Sequence, residues 1–135
     1  MIDYIVTSHG NFAEGIKNSS FMIFGEQKNV EAVVLHPNES PEELNSKFQE
    51  ALAKFDKDDQ VIFLVDLFGG SPFNAASQIV AEHTDRMALI TGLNLSMLVE
   101  AYTVREQPLD QVVPHLEETA KAGVRHLEIK DSQEG

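Results

Sequence analysis

Short apolar runs that stop abruptly at polar residues set the rhythm of this chain. The runs at residues 3–8 and 60–67 have unbroken apolar centres, Tyr4-Ile5-Val6 and Val61-Ile62-Phe63-Leu64-Val65, the pattern of strands buried on both faces of a parallel sheet. Residues 30–35 and 86–91 read the same way. Between the runs the spacing changes to the 3.6-residue period of a helix. One helix is expected from near Asn11 to Phe24, with Phe12, Ala13 and Ile16 on its apolar side and Gly25 as its stop. After His36-Pro37, the segment Ser40-Pro41-Glu42-Glu43 opens a second helix with a capping hydroxyl, a first-turn proline and early acids. Leu44, Phe48, Ala51, Leu52 and Phe55 form its stripe. Ser71-Pro72 is expected to cap a third helix, from Pro72 to about His83. The fourth strand ends at Gly92-Leu93-Asn94. Helical segments 95–104 and 110–122 follow, then a last strand at 125–129 and a loose tail at 131–135.

This alternation predicts an α/β fold with a doubly wound, mainly parallel sheet and helices on both faces. One domain is expected over residues 1–130. Given the strand order 2-1-3-4, the first and third strands are neighbours and the order reverses between them. Ligands of open α/β sheets bind at the carboxyl ends of the strands at such a point. His9 follows the first strand there and Asp66 ends the third, so the two are predicted to sit side by side.

Composition narrows the classes. With 135 residues, 42% of them hydrophobic, the chain supports a packed core. It has no cysteine, which excludes disulfides, thiolate metal sites and cysteine nucleophiles and suits a reducing cytosol, so a cytoplasmic location is expected. Met1-Ile2-Asp3-Tyr4 has neither the basic stretch nor the apolar core of a signal peptide. No apolar run approaches the ~18 residues of a membrane span. The net charge of -12, from 22 acidic and 10 basic residues, excludes nucleic acid and disfavours anionic membranes. It serves solubility, or guidance of a partner with a positive docking face.

The paired residues have a definite chemistry. A neutral imidazole is a nucleophile and can carry a phosphoryl group covalently. To attack through one ring nitrogen it needs the other protonated and held, which Asp66 would do while stabilising positive charge on the ring. The phosphate needs donors. Gly69 and Gly70 allow close backbone approach, and the helix starting at Ser71-Pro72 offers N–H groups of Ser71, Phe73 and Asn74 at its positive end. Gly10 and Asn11 form a similar edge after His9. Taken singly, a histidine at a strand end, an aspartate before a glycine turn and a Gly-Gly-Ser-Pro helix entry all have ordinary structural explanations. Their convergence on one sheet edge is what points to a site. No metal and no cofactor is called for: His36, His83, His115 and His126 lack ligand spacing, and His115 and His126 have no partner in an acidic motif.

Ser8-His9-Gly10, the run from Phe63 through Asp66-Leu67-Phe68-Gly69-Gly70-Ser71-Pro72-Phe73-Asn74-Ala75-Ala76, and Gly92-Leu93-Asn94-Leu95-Ser96-Met97-Leu98-Val99-Glu100 resemble three signature segments of one family. It is the mannose-family enzyme IIA of the bacterial phosphoenolpyruvate:sugar phosphotransferase system. The resemblance spans the chain in order and length, and the long middle segment is its most specific part. It implies a histidine phosphocarrier, a phosphotransferase in which His9 accepts a phosphoryl group from the phosphocarrier protein HPr and passes it to enzyme IIB. It implies that Asp66 holds the imidazole and that Gly69 to Phe73 surround the phosphate. It also implies a homodimer exchanging carboxy-terminal strands, a separate IIB protein, and contact with the membrane only through the transporter complex.

Rival readings are a phosphotransfer subunit of a dihydroxyacetone kinase system, a receiver-like signalling domain, a flavin or nucleotide module and a serine hydrolase. The first shares the early histidine, but the Gly-Gly-Ser-Pro-Phe-Asn-Ala-Ala run favours sugar transport. A receiver needs paired acids after the first strand, where Thr7-Ser8-His9-Gly10 stands. That segment is also too poor in glycine and hydroxyls for a phosphate loop. Ser71 lacks a Gly-x-Ser-x-Gly elbow.

Overall fold

The computed structural model describes residues 1–130. Four strands, β1 (Ile2–His9), β2 (Val30–Leu35), β3 (Gln60–Val65) and β4 (Met87–Thr91), form one parallel sheet in the order β2-β1-β3-β4. Five helices connect and cover them: α1 (Phe12–Phe24), α2 (Pro41–Leu52), α3 (Ser71–Ala81), α4 (Leu95–Thr103) and α5 (Leu109–Ala122).

The alternation of side chains along β1 divides the core in two. Ile2, Tyr4 and Val6 face a layer made by α1, α4 and α5, packed against Ile16, Met97, Leu98 and Leu116. Ile5 faces the other side, where Phe63 and Val65 of β3 meet Leu44 and Phe48 of α2 and Ala76 and Ile79 of α3. Phe48 and Phe63 meet edge to face at 5.4 Å between centroids, a favoured aromatic geometry. From Ile2 to Ser8 every residue of β1 is buried, and His9 is its first exposed side chain. Burial on both faces explains the unbroken apolar runs.

The two sheet edges are treated differently. At the β2 edge, Lys47 Nζ donates to the Val34 carbonyl at 3.0 Å and pairs with Glu39 at 2.7 Å, a charged cover of the kind that blocks strand addition. The β4 edge borders an apolar groove of about 870 Å³ between α3 and α5.

Three expectations need correction. The predicted last strand at 125–129 is not a strand within the chain: residues 124–130 carry no regular structure, and Val124, Leu127 and Ile129 stay exposed. A strand needs a neighbour to bond, and this segment pairs with none of the chain's four strands. The third strand ends at Val65 rather than Leu67, because the backbone turns to present Asp66. The third helix begins at Ser71, with Gly70 in the cap position and no side-chain cap. The loose tail expected at 131–135 lies outside the described residues. Among the described residues no helix is long and apolar enough to cross a membrane.

Candidate functional site

Parallel pairing of β1 with β3, in register from Ile2↔Gln60 to Thr7↔Val65, brings the ends of the two strands together. Asp66 N continues the ladder to the Thr7 carbonyl at 3.2 Å, and its side chain turns toward β1. Asp66 Oδ2 then accepts two hydrogen bonds from one residue, from the His9 backbone N at 3.0 Å and from His9 Nδ1 at 2.9 Å. The other oxygen, Oδ1, accepts from Leu67 N at 2.9 Å. The carboxylate is therefore fixed at both oxygens, and with 14% side-chain exposure it is largely shielded from water. The His9 side chain is 46% exposed. Because the carboxylate is an acceptor, Nδ1 carries the proton and the Nε2 lone pair points outward.

Gly70 forms the opposite wall. A Cβ built there would lie 3.2 Å from His9 Cε1 and 3.3 Å from Nε2, and Gly70 has φ +87°, where a side chain is strained in any case. Absence of a side chain thus keeps room beside Nε2 for a group bonded to it. Gly10, at φ +57°, turns the chain away after His9, and its N–H donates to the Leu35 carbonyl at 2.8 Å.

Four helices begin at this edge of the sheet, and their N-termini are not equivalent. Ser40 caps α2 through a capping box. Asn94 Oδ1 accepts from Met97 N at 2.9 Å in α4. In α1, Asn11 makes no side-chain cap, but Ser8 Oγ reaches up from the strand to accept from Ala13 N at 2.7 Å. Only α3 begins with neither a side-chain cap nor an acidic first turn. Its free N–H groups and positive dipole end lie beside His9, an arrangement that favours an anion. Ser71 and Phe73 are in that first turn. Asn74 is not available as a donor, because its N–H already bonds the Gly70 carbonyl at 2.9 Å. Pro72 has no N–H to offer.

His9, Gly10, Asp66, Gly69, Gly70, Ser71 and Phe73 thus converge at one edge, as the sequence predicts. Sequence reasoning missed the part played by Ser8. The period of two along β1 places Ser8 on the α1 side, but a cap from five residues upstream has no local signature. It also missed a second histidine pair: His115 Nε2 lies 2.6 Å from Glu100 Oε2 across the α4–α5 interface, between residues 15 apart in sequence that the fold makes adjacent. That pair is exposed and apart from the His9 edge. Among the described residues no cluster of three potential metal ligands forms. The large groove beside β4 reaches Phe68 and Phe73 but does not include His9 or Asp66.

Residues 3–117 match the family model described as PTS system fructose IIA component. The chain is 42% identical over 106 residues to the PTS system fructose-specific EIIA component of Bacillus subtilis (strain 168), covering 78% of this chain and 72% of that protein. It is 40% identical over 131 residues to the PTS system mannose-specific EIIAB component of Escherichia coli (strain K12), covering 96% of this chain but 40% of that longer protein. Among solved structures, the phosphotransferase system component EIIA from Streptococcus agalactiae superposes with a TM-score of 0.85 at 32% identity, over 93% of this chain and 97% of that one. The mannose/sorbose specific IIA subunit from Enterococcus faecalis superposes with a TM-score of 0.87 at 25% identity, over 96% of each chain.

Proposed function

The chain belongs to the mannose-type EIIA family of the sugar phosphotransferase system, and from that premise we propose that it is a histidine phosphocarrier. His9 accepts a phosphoryl group from HPr and passes it to an enzyme IIB component for sugar uptake. The observation that carries the reading is the Asp66 bond to Nδ1, which leaves Nε2 as the free nucleophile beside a glycine.

The Nε2 lone pair attacks the phosphorus of the donor's phosphohistidine. A new N–P bond forms as the donor's N–P bond breaks, and the electron pair of the broken bond returns to the donor ring. The proton on Nδ1 stays where it is, so the step needs no general base. Positive charge that develops on the His9 ring rests against the Asp66 carboxylate, and the phosphoryl oxygens face the N–H groups of Ser71 and Phe73 at the start of α3. Attack by a nucleophile of the IIB component on the same phosphorus then regenerates the neutral imidazole.

A protein donor also suits the surroundings. Phe12, Leu67 and Phe68 are 48%, 60% and 82% exposed and flank His9 and Asp66 in the chain. Apolar side chains displayed around an exposed reactive ring favour a protein surface over a small molecule that must be enclosed.

Assembly belongs to the same reading. The exposed Val124, Leu127 and Ile129 pair with no strand of their own sheet, while β4 offers an unprotected edge beside an apolar groove lined by Leu89, Ile90, Met97 and Val113. Exchange of residues 124–129 between two copies would fill that edge in a two-fold dimer.

Incubation with phosphoenolpyruvate, enzyme I and HPr, followed by intact-mass measurement, tests the function. One added phosphoryl group on the wild type, none on His9→Ala, and discharge on addition of IIB are expected. Undiminished labelling of His9→Ala overturns the proposal.

A further inference from the structure

Ser8 lies one residue before the nucleophile, is fully buried and faces away from it. Its hydroxyl is engaged both as acceptor and as donor. Oγ accepts from Ala13 N in the first turn of α1 at 2.7 Å and donates to the Gly10 carbonyl at 3.0 Å. One atom therefore ties the start of α1 to the turn that carries His9.

Around His9, three consecutive peptide units are each tied to a different neighbour. His9 N donates to Asp66 Oδ2, Gly10 N donates to the Leu35 carbonyl, and the Gly10 carbonyl accepts from Ser8. The first two anchor the turn to β3 and β2. The third is the bond that closes the left-handed turn at Gly10 and aligns it with α1. Without it, the turn that carries the imidazole keeps its anchors to β3 and β2 but loses its tie to α1.

We propose that Ser8 is a positioning residue for phosphoryl transfer, which acts through the Ser8–Gly10–Ala13 tie to hold the His9 ring in the orientation that Asp66 and Gly70 require. The inference rests on the reading of His9 as the phosphoryl acceptor. A hydroxyl is needed at this position and a methyl group is not enough. Alanine would leave the Ala13 N–H and the Gly10 carbonyl unpaired in a largely buried place, and both would seek new partners by shifting the turn. Displacement of a reacting group by about 1 Å can cost on the order of 10²-fold in rate. Threonine keeps the oxygen and adds a β-methyl that a strand accommodates readily.

The test compares Ser8→Ala, Ser8→Thr and Ser20→Ala with the wild type. Ser20 is the control because its hydroxyl is also tied to α1, bonding the Lys17 carbonyl at 2.6 Å and the Tyr102 hydroxyl at 2.8 Å, but at the far end from His9. Single-turnover transfer from phosphorylated HPr gives the rate, and ¹⁵N-detected NMR of the His9 ring gives the tautomer without any transfer. Ser8→Ala is expected to lose about ten- to a hundred-fold in rate and to show a mixture of ring tautomers. Ser8→Thr should recover the wild-type tautomer and most of the rate, and Ser20→Ala should keep both while losing stability. Equal losses in Ser8→Ala and Ser20→Ala, or a wild-type rate and tautomer in Ser8→Ala, overturn the inference. A wild type that takes no label at His9 overturns the phosphocarrier reading instead, and the ring tautomer still decides whether Ser8 positions His9.

Discussion

Replacing Asp66 with asparagine keeps size and shape and removes only the charge and the acceptor symmetry. The carboxylate accepts three hydrogen bonds, two on Oδ2 from His9 and one on Oδ1 from Leu67 N. An amide has one acceptor oxygen and one donor nitrogen, so it satisfies one side and clashes on the other. With its oxygen toward Leu67, the amide NH₂ faces two N–H groups of His9, and the ring escapes by moving its proton to Nε2. That tautomer has no lone pair at the nucleophilic nitrogen. With its oxygen toward His9, the amide meets Leu67 N donor to donor, and the turn into Gly69 loosens. Hydrogen bonds to charged groups contribute about 1.5–3 kcal/mol each, so the variant should lose roughly 2–4 kcal/mol of transition-state stabilisation, or about 30- to 1000-fold in rate. This is below the ~10⁴ lost when a tautomer-holding aspartate is removed from a serine hydrolase triad, because here the imidazole attacks directly and passes no proton. Quench-flow transfer from phosphorylated HPr, with thermal unfolding as a check on the fold, measures the effect. A rate within two-fold of wild type in a folded variant would show that Asp66 only shapes the turn.

Gly70→Ala should remain folded but fail to hold a phosphoryl group on Nε2, since the new Cβ stands 3.2–3.3 Å from the ring on a backbone of positive φ; intact mass showing normal labelling would contradict this. Asp3 gives a pH dependence with a defined sign. Its carboxyl is sealed at the opposite end of β1, with Asn29 Nδ2 at 3.1 Å, Arg105 Nη2 at 3.8 Å and one oxygen unpaired. Burial, followed by the neighbouring Asp59 carboxyl, pushes it from 3.8 up to about 7. The native chain therefore keeps a proton that the unfolded chain has released, and stability falls as pH rises from about 4 to about 7, by at most ~4 kcal/mol. Asp3→Asn should flatten that slope in denaturant titrations across the window, and an unchanged slope refutes the assignment. Deleting residues 124–135 should convert a dimer into a destabilised or aggregating monomer by light scattering, whereas a cut after Lys130 should be tolerated. A monomeric full-length protein at micromolar concentration defeats the exchange.

How much of this was legible follows from where the information lies. The elements come from apolar runs and helix periods, which are local and strong, whereas the strand order that brings His9 to Asp66 is a premise of the sequence reading and is supplied by the structure. The start of α3 was misplaced by one residue because Ser71 looks like a cap, whereas Gly70, at positive φ, is the residue that turns the chain. Residues 125–129 read locally as a strand, but local pattern does not say what they pair with, since pairing is a property of the whole sheet; only the family resemblance points outside the chain. Ser8, the His115–Glu100 pair and the buried Asp3 were illegible for one reason. Each depends on a contact made across the fold by a polar residue whose neighbours in sequence are unremarkable. Asp3 alone left a trace, as a charge set between Ile2 and Tyr4 in an otherwise apolar run.

The central claim is that the phosphoryl group is carried on Nε2 of His9 while Asp66 holds Nδ1. Correlated ¹H, ¹⁵N and ³¹P NMR of the phosphorylated protein, labelled at its histidines, addresses it directly. Phosphorus coupled to Nε2 of His9, with the Nδ1 proton retained, is the expected result. Phosphorus on Nδ1, or on any other residue, would contradict the account.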